Sequence, residues 1–298
     1  MYKFIIAGGS GFIGRHISDA IEKRGGDVTI LTRRVDPSLP FKQILWDPSH
    51  QSGNGDGIDI QGFDAVVNLS GASIAKRWTK RHKKEMENSR IESTLKIVDM
   101  INGAERKPRF FINASAVGYY GNSENEKFDE SSGPGNDFLS NLVMQWEAAA
   151  RRVNKDVMLI IPRFGVVLGK DGGAFPQLMR AVNQRVSFNL KGRNSWKSWV
   201  HIDDLVSSLF FLMDIDYAGV YNCVAPNPVK MEDLMQMLFS KSGKRPALKL
   251  PGSMTKLLLG EGGFNSIFGG QYVVPSKLAE LKYKFIFSDA REAIDSLL

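Results

Sequence analysis

Residues 3–14 read Lys3-Phe4-Ile5-Ile6-Ala7-Gly8-Gly9-Ser10-Gly11-Phe12-Ile13-Gly14, and this stretch decides the fold. The apolar run Lys3–Ala7 predicts a buried strand, and an amphipathic helical pattern follows over Ile13–Lys23. The glycines between them keep the spacing Gly8-x-x-Gly11-x-x-Gly14. Glycine permits a tight turn, lets a pyrophosphate approach the backbone and lets the helix pack closely on the strand. The stretch therefore predicts a dinucleotide-binding turn, and the alternative is a glycine turn without a ligand.

Outward from this turn, strand-like and helix-like patterns alternate over the first 165 residues. The strand candidates are Lys3–Ala7, Asp27–Leu31, Gln43–Trp46, Ala65–Leu69, Arg109–Asn113 and Val157–Ile161. The helix candidates are Ile13–Lys23, Lys83–Ile101 and Leu139–Arg152. Short apolar strands that alternate with helices are typical of a parallel, doubly wound sheet. We predict an α/β fold: an NAD(P)-binding Rossmann fold with a smaller C-terminal substrate lobe.

After Arg163 the elements become shorter and glycine-rich loops separate them. The pattern predicts a helix over Asp203–Met213, a strand at Val220–Cys223 and a helix over Glu232–Ser240. Residues 260–270 contain five glycines, which predicts a loop. We expect a cofactor domain over 1–165, to which part of 195–225 returns, and a substrate lobe with a C-terminal extension over 166–298.

The residues after the second strand select the cofactor. An acidic residue there binds the ribose 2′-hydroxyl of NAD, whereas arginine accommodates the 2′-phosphate of NADP. This chain has Thr32-Arg33-Arg34 and no carboxylate before Asp36. A hydroxyl beside a guanidinium suits a phosphate monoester, so the sequence favours NADP(H) over NAD(H). The alternative is that both arginines are merely solvated at the strand end.

The surplus of positive charge is concentrated in one stretch of the sequence. The 298 residues include 39 Lys plus Arg and 32 Asp plus Glu, a net charge of +7. Residues 76–84 (KRWTKRHKK), the basic stripe, hold six basic and no acidic residues, which leaves 33 basic against 32 acidic elsewhere. The stripe is expected to attract a phosphorylated dinucleotide. Nucleic-acid binding is the weighed alternative, but the stripe has one aromatic residue, Trp78, and the chain shows no recognised nucleic-acid module, so we expect no nucleic acid as partner.

Composition excludes several other classes of protein. The single cysteine, Cys223, is compatible with a reducing compartment, and four histidines and one cysteine show no metal-ligand spacing. No signal segment is visible, and the apolar run Leu205–Met213 is too short to span a bilayer. We expect a cytoplasmic protein without membrane association or a metal, either a monomer or a homodimer.

Several motifs make the chain similar to the extended short-chain dehydrogenase/reductases. They are the glycine turn, Val67-Asn68-Leu69-Ser70-Gly71, and Trp199-Val200-His201-Ile202-Asp203-Asp204. Further segments resemble the atypical sugar-nucleotide epimerase-like subfamily with a C-terminal extension. These segments are Lys76-Arg77-Trp78, Asn88-Ser89-Arg90, Ser115–Gly121, Asp137-Phe138-Leu139, Trp146-Glu147, Gly165–Gly169 and Gly269-Gly270-Gln271. The resemblance runs almost from end to end.

The resemblance implies a cofactor site for NADP(H). It assigns the pyrophosphate to the turn, with Gly8, Gly11, Phe12, Ile13 and Gly14. It assigns the adenosine phosphate to Thr32 and Arg33, and the ribose and linker to Leu69, Ser70 and Gly71. It also brings Glu85 and Arg90 to the cofactor and Val167 to the nicotinamide side.

The chain departs from the wider superfamily in its proton chemistry. Active members pair Tyr with Lys four residues later, and no tyrosine here has such a lysine. Alignment on the helix that contains Glu147 puts Leu139 and Val143 at the two positions, and a shift of one residue gives Phe138 and Leu142. Neither pair can transfer a proton.

The remaining candidates for catalysis follow the fifth strand. Ser115 lies at the carboxyl edge of the predicted sheet, and Tyr119 and Tyr120 follow it, although packing of the loop is the alternative for at least one tyrosine. His201 is interpreted first as a helix N-cap residue. Arg163 and Arg193 either bind an anionic substrate group or have structural roles.

Two functions remain open at this stage. The first is an NADP(H)-dependent oxidoreductase or epimerase-like enzyme that acts on a small molecule, a nucleotide sugar or another polar carbonyl or alcohol compound. Simple reduction demands less of the site than epimerisation, because a ketone intermediate need not turn over in the pocket. The second is a non-catalytic NADPH-binding sensor or regulator, which the missing Tyr–Lys pair favours.

Overall fold

The computed structural model describes residues 2–48, 58–188 and 195–298. The strands are β1 (Lys3–Ala7), β2 (Asp27–Thr32), β3 (Lys42–Leu45), β4 (Ala65–Asn68), β5 (Phe110–Asn113), β6 (Ser115–Ala116), β7 (Lys127–Phe128), β8 (Met158–Phe164), β9 (Val166–Gly169), β10 (Gly172–Gly173), β11 (Val186–Phe188), β12 (Trp196–Lys197), β13 (Trp199–His201), β14 (Gly219–Cys223), β15 (Val229–Lys230), β16 (Leu248–Leu250) and β17 (Tyr272–Val273). The helices are α1 (Phe12–Lys23), α2 (Lys80–Gly103), α3 (Phe138–Ala150), α4 (Phe175–Asn183), α5 (Ile202–Asp214), α6 (Met231–Lys241), α7 (Gly252–Phe268), α8 (Ser276–Glu280) and α9 (Ala290–Leu297), and Val117–Tyr120 forms a 3-10 turn.

The main sheet is parallel throughout, in the order β14-β8-β5-β4-β1-β2-β3, with β6 also paired to β8. The register joins Ala7 to Leu31 on one side and to Asn68 on the other, so these strands end at the same edge. The chain reverses its direction of winding between β1 and β4, and ligands of such sheets bind at this switch point. The predicted doubly wound α/β fold is confirmed.

Helices cover both faces of the sheet because consecutive residues of its central strands, which point to opposite faces, are apolar. Phe4 and Ile6 of β1 pack in one cluster with Leu205 of α5. Ile5 packs in the opposite cluster with Ile97 of α2. Each predicted strand and helix of the first 165 residues is present, with ends shifted by at most three residues.

A second core supports the C-terminal part of the chain. It combines Phe175 of α4, Leu234 of α6, Phe268 of α7 and Ile294 of α9 with Trp199 of β13. Strand β14 joins the edge of the main sheet and α5 packs against α1, so this part of the chain returns to the first core. The division into residues 1–165 and 166–298 stays a prediction.

The prediction of a loop over residues 260–270 is wrong up to Phe268, because α7 continues to that residue. Gly260 (φ 71°, ψ −172°) interrupts the helix, which resumes after it. The rings of Phe264 and Phe268 stack at 4.7 Å, and both pack on the second core. Burial of two aromatic side chains outweighs a glycine cost of about 1 kcal/mol per residue. Among the described residues, no helix has both the length and the apolar character to cross a membrane.

Candidate functional site

The glycine turn joins β1 to α1 at the carboxyl edge of the sheet. Gly8 has φ 79°, which favours glycine, and a β carbon there would lie 3.0 Å from the Leu69 carbonyl. A β carbon on Gly14 would lie 2.6 Å from the Gly8 oxygen. Gly11 precedes α1 and provides no side-chain cap, so the helix presents its first N–H groups to the turn. This cradle, which side chains would fill, fits a pyrophosphate.

Phe12 connects the turn to the β9–β10 hairpin. A β carbon on Gly169 or Gly172 would lie 2.4 or 2.3 Å from the Phe12 ring, so the ring fits only against glycine. His16 adds a 3.0 Å contact from Nε2 to Asp171 Oδ1. The Phe12 side chain therefore packs on protein, which leaves its backbone for the predicted role at the pyrophosphate. Half-buried Val167 lies on β9 of the same hairpin.

The end of β2 exposes Arg33 but uses the Thr32 hydroxyl proton within its own turn, so the predicted phosphate site stays a prediction. The Thr32 hydroxyl donates to the Arg34 carbonyl at 2.8 Å, while the Arg33 side chain is exposed. Asp36, the first carboxylate after the strand, accepts hydrogen bonds from the Ser38 hydroxyl (2.6 Å) and backbone N–H (3.0 Å). These bonds hold the pKa of Asp36 below its usual value. Asp36 is thus bound within its own turn.

Glu85, which follows the basic stripe along α2, interacts with positively charged residues of two elements. His82 Nδ1 lies 3.0 Å from Glu85 Oε2, and this hydrogen bond lowers the pKa of Glu85. The positive charges of Lys76 and Arg33 lower it further. One of these cations belongs to the stripe and the other to the end of β2, so Glu85 lies within electrostatic range of both. Glu85 itself is exposed and bonded to His82.

Arg90 lies beneath the loop that follows β4. A β carbon on Gly71 would lie 2.9 Å from the Arg90 Cζ, so a larger residue there would displace the guanidinium. Arg90 Nη1 donates to the Met86 carbonyl at 3.2 Å, and burial lowers the pKa of Arg90 to about 10. In the part of the chain that the structure describes, no carboxylate pairs with Arg90. A desolvated cation against Gly71, the residue that follows Leu69 and Ser70, suits an anionic ligand.

The Ser115 hydroxyl is engaged with Glu147. Ser115 is buried after β5, and its Oγ donates to Glu147 Oε1 at 2.7 Å. Arg163 holds the same carboxylate in a bidentate pair, with Nε 2.7 Å from Oε1 and Nη2 2.9 Å from Oε2. Burial opposes the charge of Arg163, but the hydrogen bonds and charge of Glu147 raise its pKa above the usual value. Arg163 is therefore occupied by protein.

The two tyrosines of the 3-10 turn differ in their surroundings. The Tyr120 hydroxyl donates to Asn222 Oδ1 at 2.8 Å and accepts from Arg163 Nη1 at 2.9 Å, and burial raises the pKa of Tyr120 to about 12. Tyr119 is half-buried, with Arg163 Cζ 3.4 Å from its ring centroid. No hydrogen bond of the Tyr119 hydroxyl is found within residues 2–48, 58–188 and 195–298. The catalytic roles of Ser115, Tyr119 and Tyr120 stay predictions.

Helix α3 begins where the missing pair would stand. Leu139 lies in its first turn, 3.7 Å from where a β carbon on Gly118 would be. Leu142 and Val143 are both buried. Apolar side chains therefore occupy the positions of Tyr and Lys in either alignment.

His201 has the structural role that the sequence favours. Its Nδ1 accepts the Asp203 backbone N–H at 3.1 Å and so caps α5. Its ring lies 4.2 Å from that of Phe287, and burial lowers its pKa. Arg193 lies outside the described residues.

Sequence reasoning missed two buried charged residues, of which only Glu147 belongs to this site. Glu147 was part of a motif, but nothing in the sequence pairs it with Arg163, sixteen residues later on another element. Lys197 of β12 is buried, which lowers its pKa to about 7, and its ammonium donates to the Gly269 carbonyl. No sequence pattern indicated that this lysine is buried. Among the described residues, no group of three His, Cys, Asp or Glu side chains could hold a metal ion.

Comparison with known proteins agrees with this architecture. A protein from Arabidopsis thaliana, "Epimerase family protein SDR39U1 homolog, chloroplastic", is 37% identical over 98% of this chain and 86% of its own length. The crystal structure of human epimerase family protein SDR39U1 (isoform 2) with NADPH has a TM-score of 0.85 at 28% identity, over 99% of this chain and 98% of that one. The nucleoside-diphosphate sugar epimerase from Corynebacterium glutamicum has a TM-score of 0.78 at 26% identity, over 98% of this chain and 57% of that one.

Two family models match different parts of the chain. Residues 250–297 match a domain of unknown function, DUF1731, which includes α7, α8 and α9. Residues 4–223 match the NAD dependent epimerase/dehydratase family, including the glycine turn, the whole main sheet and the network around Glu147. The chain belongs to the NAD dependent epimerase/dehydratase family.

Proposed function

We propose that this protein is an NADPH-dependent oxidoreductase that reduces a carbonyl compound. The observation that carries the proposal is the cofactor half of the site. The glycine cradle follows β1, the exposed Arg33 follows β2, and the desolvated Arg90 lies against Gly71 after β4, so all three features lie at the carboxyl ends of three adjacent strands. The human relative crystallised with NADPH supports the same cofactor.

Each part of the cofactor has matching residues in this chain. The first N–H groups of α1 would bind the pyrophosphate. Arg33 would bind the adenosine 2′-phosphate, while the Thr32 hydroxyl holds the Arg34 carbonyl within the same turn. Arg90 would bind an anionic or ribose oxygen next to Gly71. Val167 would line the nicotinamide side. When bound, the reduced nicotinamide supplies a hydride for a carbonyl carbon.

Tyr119 is the best proton donor for the carbonyl oxygen. The Ser115 hydroxyl already donates to Glu147, and the Tyr120 hydroxyl already donates to Asn222. Tyr119 is half-buried, and Arg163 places a positive charge against its ring. The N–H groups of that guanidinium bond to Glu147 and to the Tyr120 hydroxyl, so Arg163 contacts Tyr119 through the ring. Reduction needs one such donor, whereas epimerisation also needs a site that turns a ketone over.

The direct test is NADPH oxidation with aldehydes, ketones and nucleotide sugars, which are included because of the Corynebacterium neighbour. We expect turnover with at least one carbonyl compound. The Tyr119→Phe variant should have a kcat about a hundredfold lower than wild type, while its Kd for NADPH stays unchanged. Tyr217→Phe, an exposed tyrosine remote in sequence, is the matched control. Equal rates for wild type and Tyr119→Phe would contradict the role of Tyr119.

A non-catalytic NADPH sensor is the second candidate. The closed network Ser115–Glu147–Arg163–Tyr120 favours it, because each of its hydroxyl protons is donated to another protein group. Tight NADPH binding with no oxidation across the panel, together with no effect of Ser115→Ala, would favour the sensor over the reductase.

A further inference from the structure

The segment between α7 and β17 belongs to the C-terminal extension and contacts the 3-10 turn that carries Tyr119. The side-chain Nε2 of Gln271 donates to the Val117 carbonyl at 2.7 Å, and Val117 is the first residue of the turn. The Ser123 backbone N–H, just beyond the turn, donates to the Gly270 carbonyl at 2.9 Å. The segment therefore binds the chain before and after Tyr119.

Strand β17 follows Gln271 and packs on the same turn. It pairs with β7, so Val273 lies opposite Phe128. Val273 is buried in a small apolar cluster that includes Val117 and Tyr120. The rings of Phe128 and Tyr120 stack with their centroids 5.3 Å apart. Apolar packing thus supports the turn that Gln271 binds.

Buried Ser198 connects this segment to the strand that carries Val167. Its hydroxyl donates to the Gln271 carbonyl at 2.9 Å and accepts the Val273 N–H at 2.8 Å. Its own carbonyl accepts the Val166 N–H at 2.8 Å, and Val166 directly precedes Val167. One serine therefore joins the extension to the strand that we expect beside the nicotinamide.

The segment is also anchored from its other side, by β12 and the residue before it. The ammonium of buried Lys197 donates to the Gly269 carbonyl, and the Ser195 hydroxyl lies 3.0 Å from the same oxygen. Gly270 has φ 153°, and a β carbon there would overlap the Trp196 carbonyl. The backbone that leads to β17 is therefore tightly packed.

We propose that Gln271 is a positioning residue that fixes the turn carrying Tyr119 relative to the nicotinamide side of the site, and that this is a task of the C-terminal extension. The proposal rests on the proposed function, in which Tyr119 protonates the carbonyl oxygen. Because hydride and proton go to adjacent atoms of one carbonyl group, their two sources must keep a fixed separation. A misplacement of about 1 Å can cost about a hundredfold in rate. The hydrogen bonds of Gln271, Ser198 and Val166, the brace, link the two sources.

Hydrogen exchange followed by mass spectrometry tests the brace without turnover. Gln271→Ala removes the amide donor, and Gln271→Glu keeps the length of the side chain but places a carboxylate against the Val117 carbonyl. In both variants the amides of residues 117–123 should exchange at least about fivefold faster than in wild type, the effect expected for the loss of one hydrogen bond. Fragments that cover β4 and β5 should exchange as in wild type, which shows that the fold is intact.

Asn102→Ala is the matched control for exchange. It removes another hydrogen bond from a side-chain amide to a backbone carbonyl, that of Asn102 Nδ2 to Arg152 at 3.0 Å. Asn102 lies near the end of α2, on different elements from the turn. Exchange of residues 117–123 should stay at the wild-type rate in this variant.

A double-mutant cycle tests whether Gln271 acts through Tyr119. The substrate is the compound with the highest kcat/KM among the aldehydes, ketones and nucleotide sugars tested for NADPH oxidation. Gln271→Ala should lower kcat by about tenfold, while the KM for NADPH changes by less than about twofold. In the Tyr119→Phe background the same substitution should change kcat by less than about twofold, because the group that it positions is gone.

Two results would overturn the proposal. One is wild-type exchange of residues 117–123 in both Gln271 variants, whatever the activity. The other is an equal loss of kcat in the two backgrounds, which would show that Gln271 acts independently of Tyr119 while the reductase itself stands. Faster exchange of the turn in a protein that oxidises no NADPH would contradict the reductase and support the brace.

Discussion

Glu147 determines what Ser115 can donate. Its Oε1 accepts hydrogen bonds from both the Ser115 hydroxyl and Arg163 Nε at 2.7 Å, so the hydroxyl proton is already donated within the protein. Ser115 keeps lone pairs that can accept a bond, but it has no second proton to give. A serine of this kind orients a substrate hydroxyl better than it protonates a carbonyl.

Removal of the negative charge of Glu147 should lower the free energy of unfolding. Glu147→Gln leaves the buried Arg163 without its counter-ion, and breaking a buried pair costs about 3–5 kcal/mol. We expect a loss near the lower end of this range in urea unfolding followed by circular dichroism, because glutamine keeps one acceptor oxygen. Glu92→Gln, on the exposed side of α2, should change stability by less than about 0.5 kcal/mol. A Glu147→Gln loss as small as that would mean that the pair is not buried in solution.

Tyr120 should not contribute to the pH dependence of turnover. Burial raises its pKa to about 12, so the phenol stays protonated at neutral and moderately alkaline pH. The Tyr120→Phe variant should therefore reproduce the shape of the wild-type profile of kcat against pH, even if its amplitude falls. An alkaline inflection present in wild type and lost in Tyr120→Phe would show that this phenol titrates during catalysis.

At the scale of elements, the strands were predictable and the pairings of side chains were not. Strands such as β4 and β5 are buried on both faces, so their composition alone marks them. Helix α7 escaped prediction because its glycines disfavour a helix locally, while the packing of Phe264 and Phe268 decides the outcome. The Glu147–Arg163 pair depends on how α3 is rotated against β8, which local sequence does not specify.

The glycine turn gives the clearest prediction about one element. A methyl group on Gly14 would approach the Gly8 oxygen to 2.6 Å and push α1 away from the turn. Gly14→Ala should raise the Kd for NADPH by about tenfold or more, or about 1.4 kcal/mol, in a fluorescence titration. The same titration on Gly103→Ala, which meets open space, should give the wild-type value. A wild-type Kd for Gly14→Ala would show that the turn does not hold the pyrophosphate.

Over the whole molecule, the net charge of +7 is largely a property of one edge. The basic stripe begins after β4, and Lys76 acts on the same carboxylate as Arg33 from the end of β2. Its residues have different tasks, however, because Lys83 pairs with Glu261 of the C-terminal extension. The sequence shows where the positive charge is concentrated. Only the fold distinguishes Lys76, which acts on Glu85 together with Arg33, from Lys83, which pairs with Glu261 of α7.

The exposed part of the stripe should discriminate between the two dinucleotides. NADPH carries an additional phosphate, so reversal of Lys76 and Lys80 should weaken NADPH more than NADH. For Lys76→Glu with Lys80→Glu, we expect the ratio of the two Kd values to change by about tenfold at low ionic strength and by less as salt screens the charges. Lys42→Glu with Lys155→Glu reverses two exposed lysines at the opposite edge of the sheet and should leave the ratio unchanged. Equal losses for NADPH and NADH would mean that the stripe acts on the charge shared by both cofactors, and that Arg33 alone recognises the 2′-phosphate.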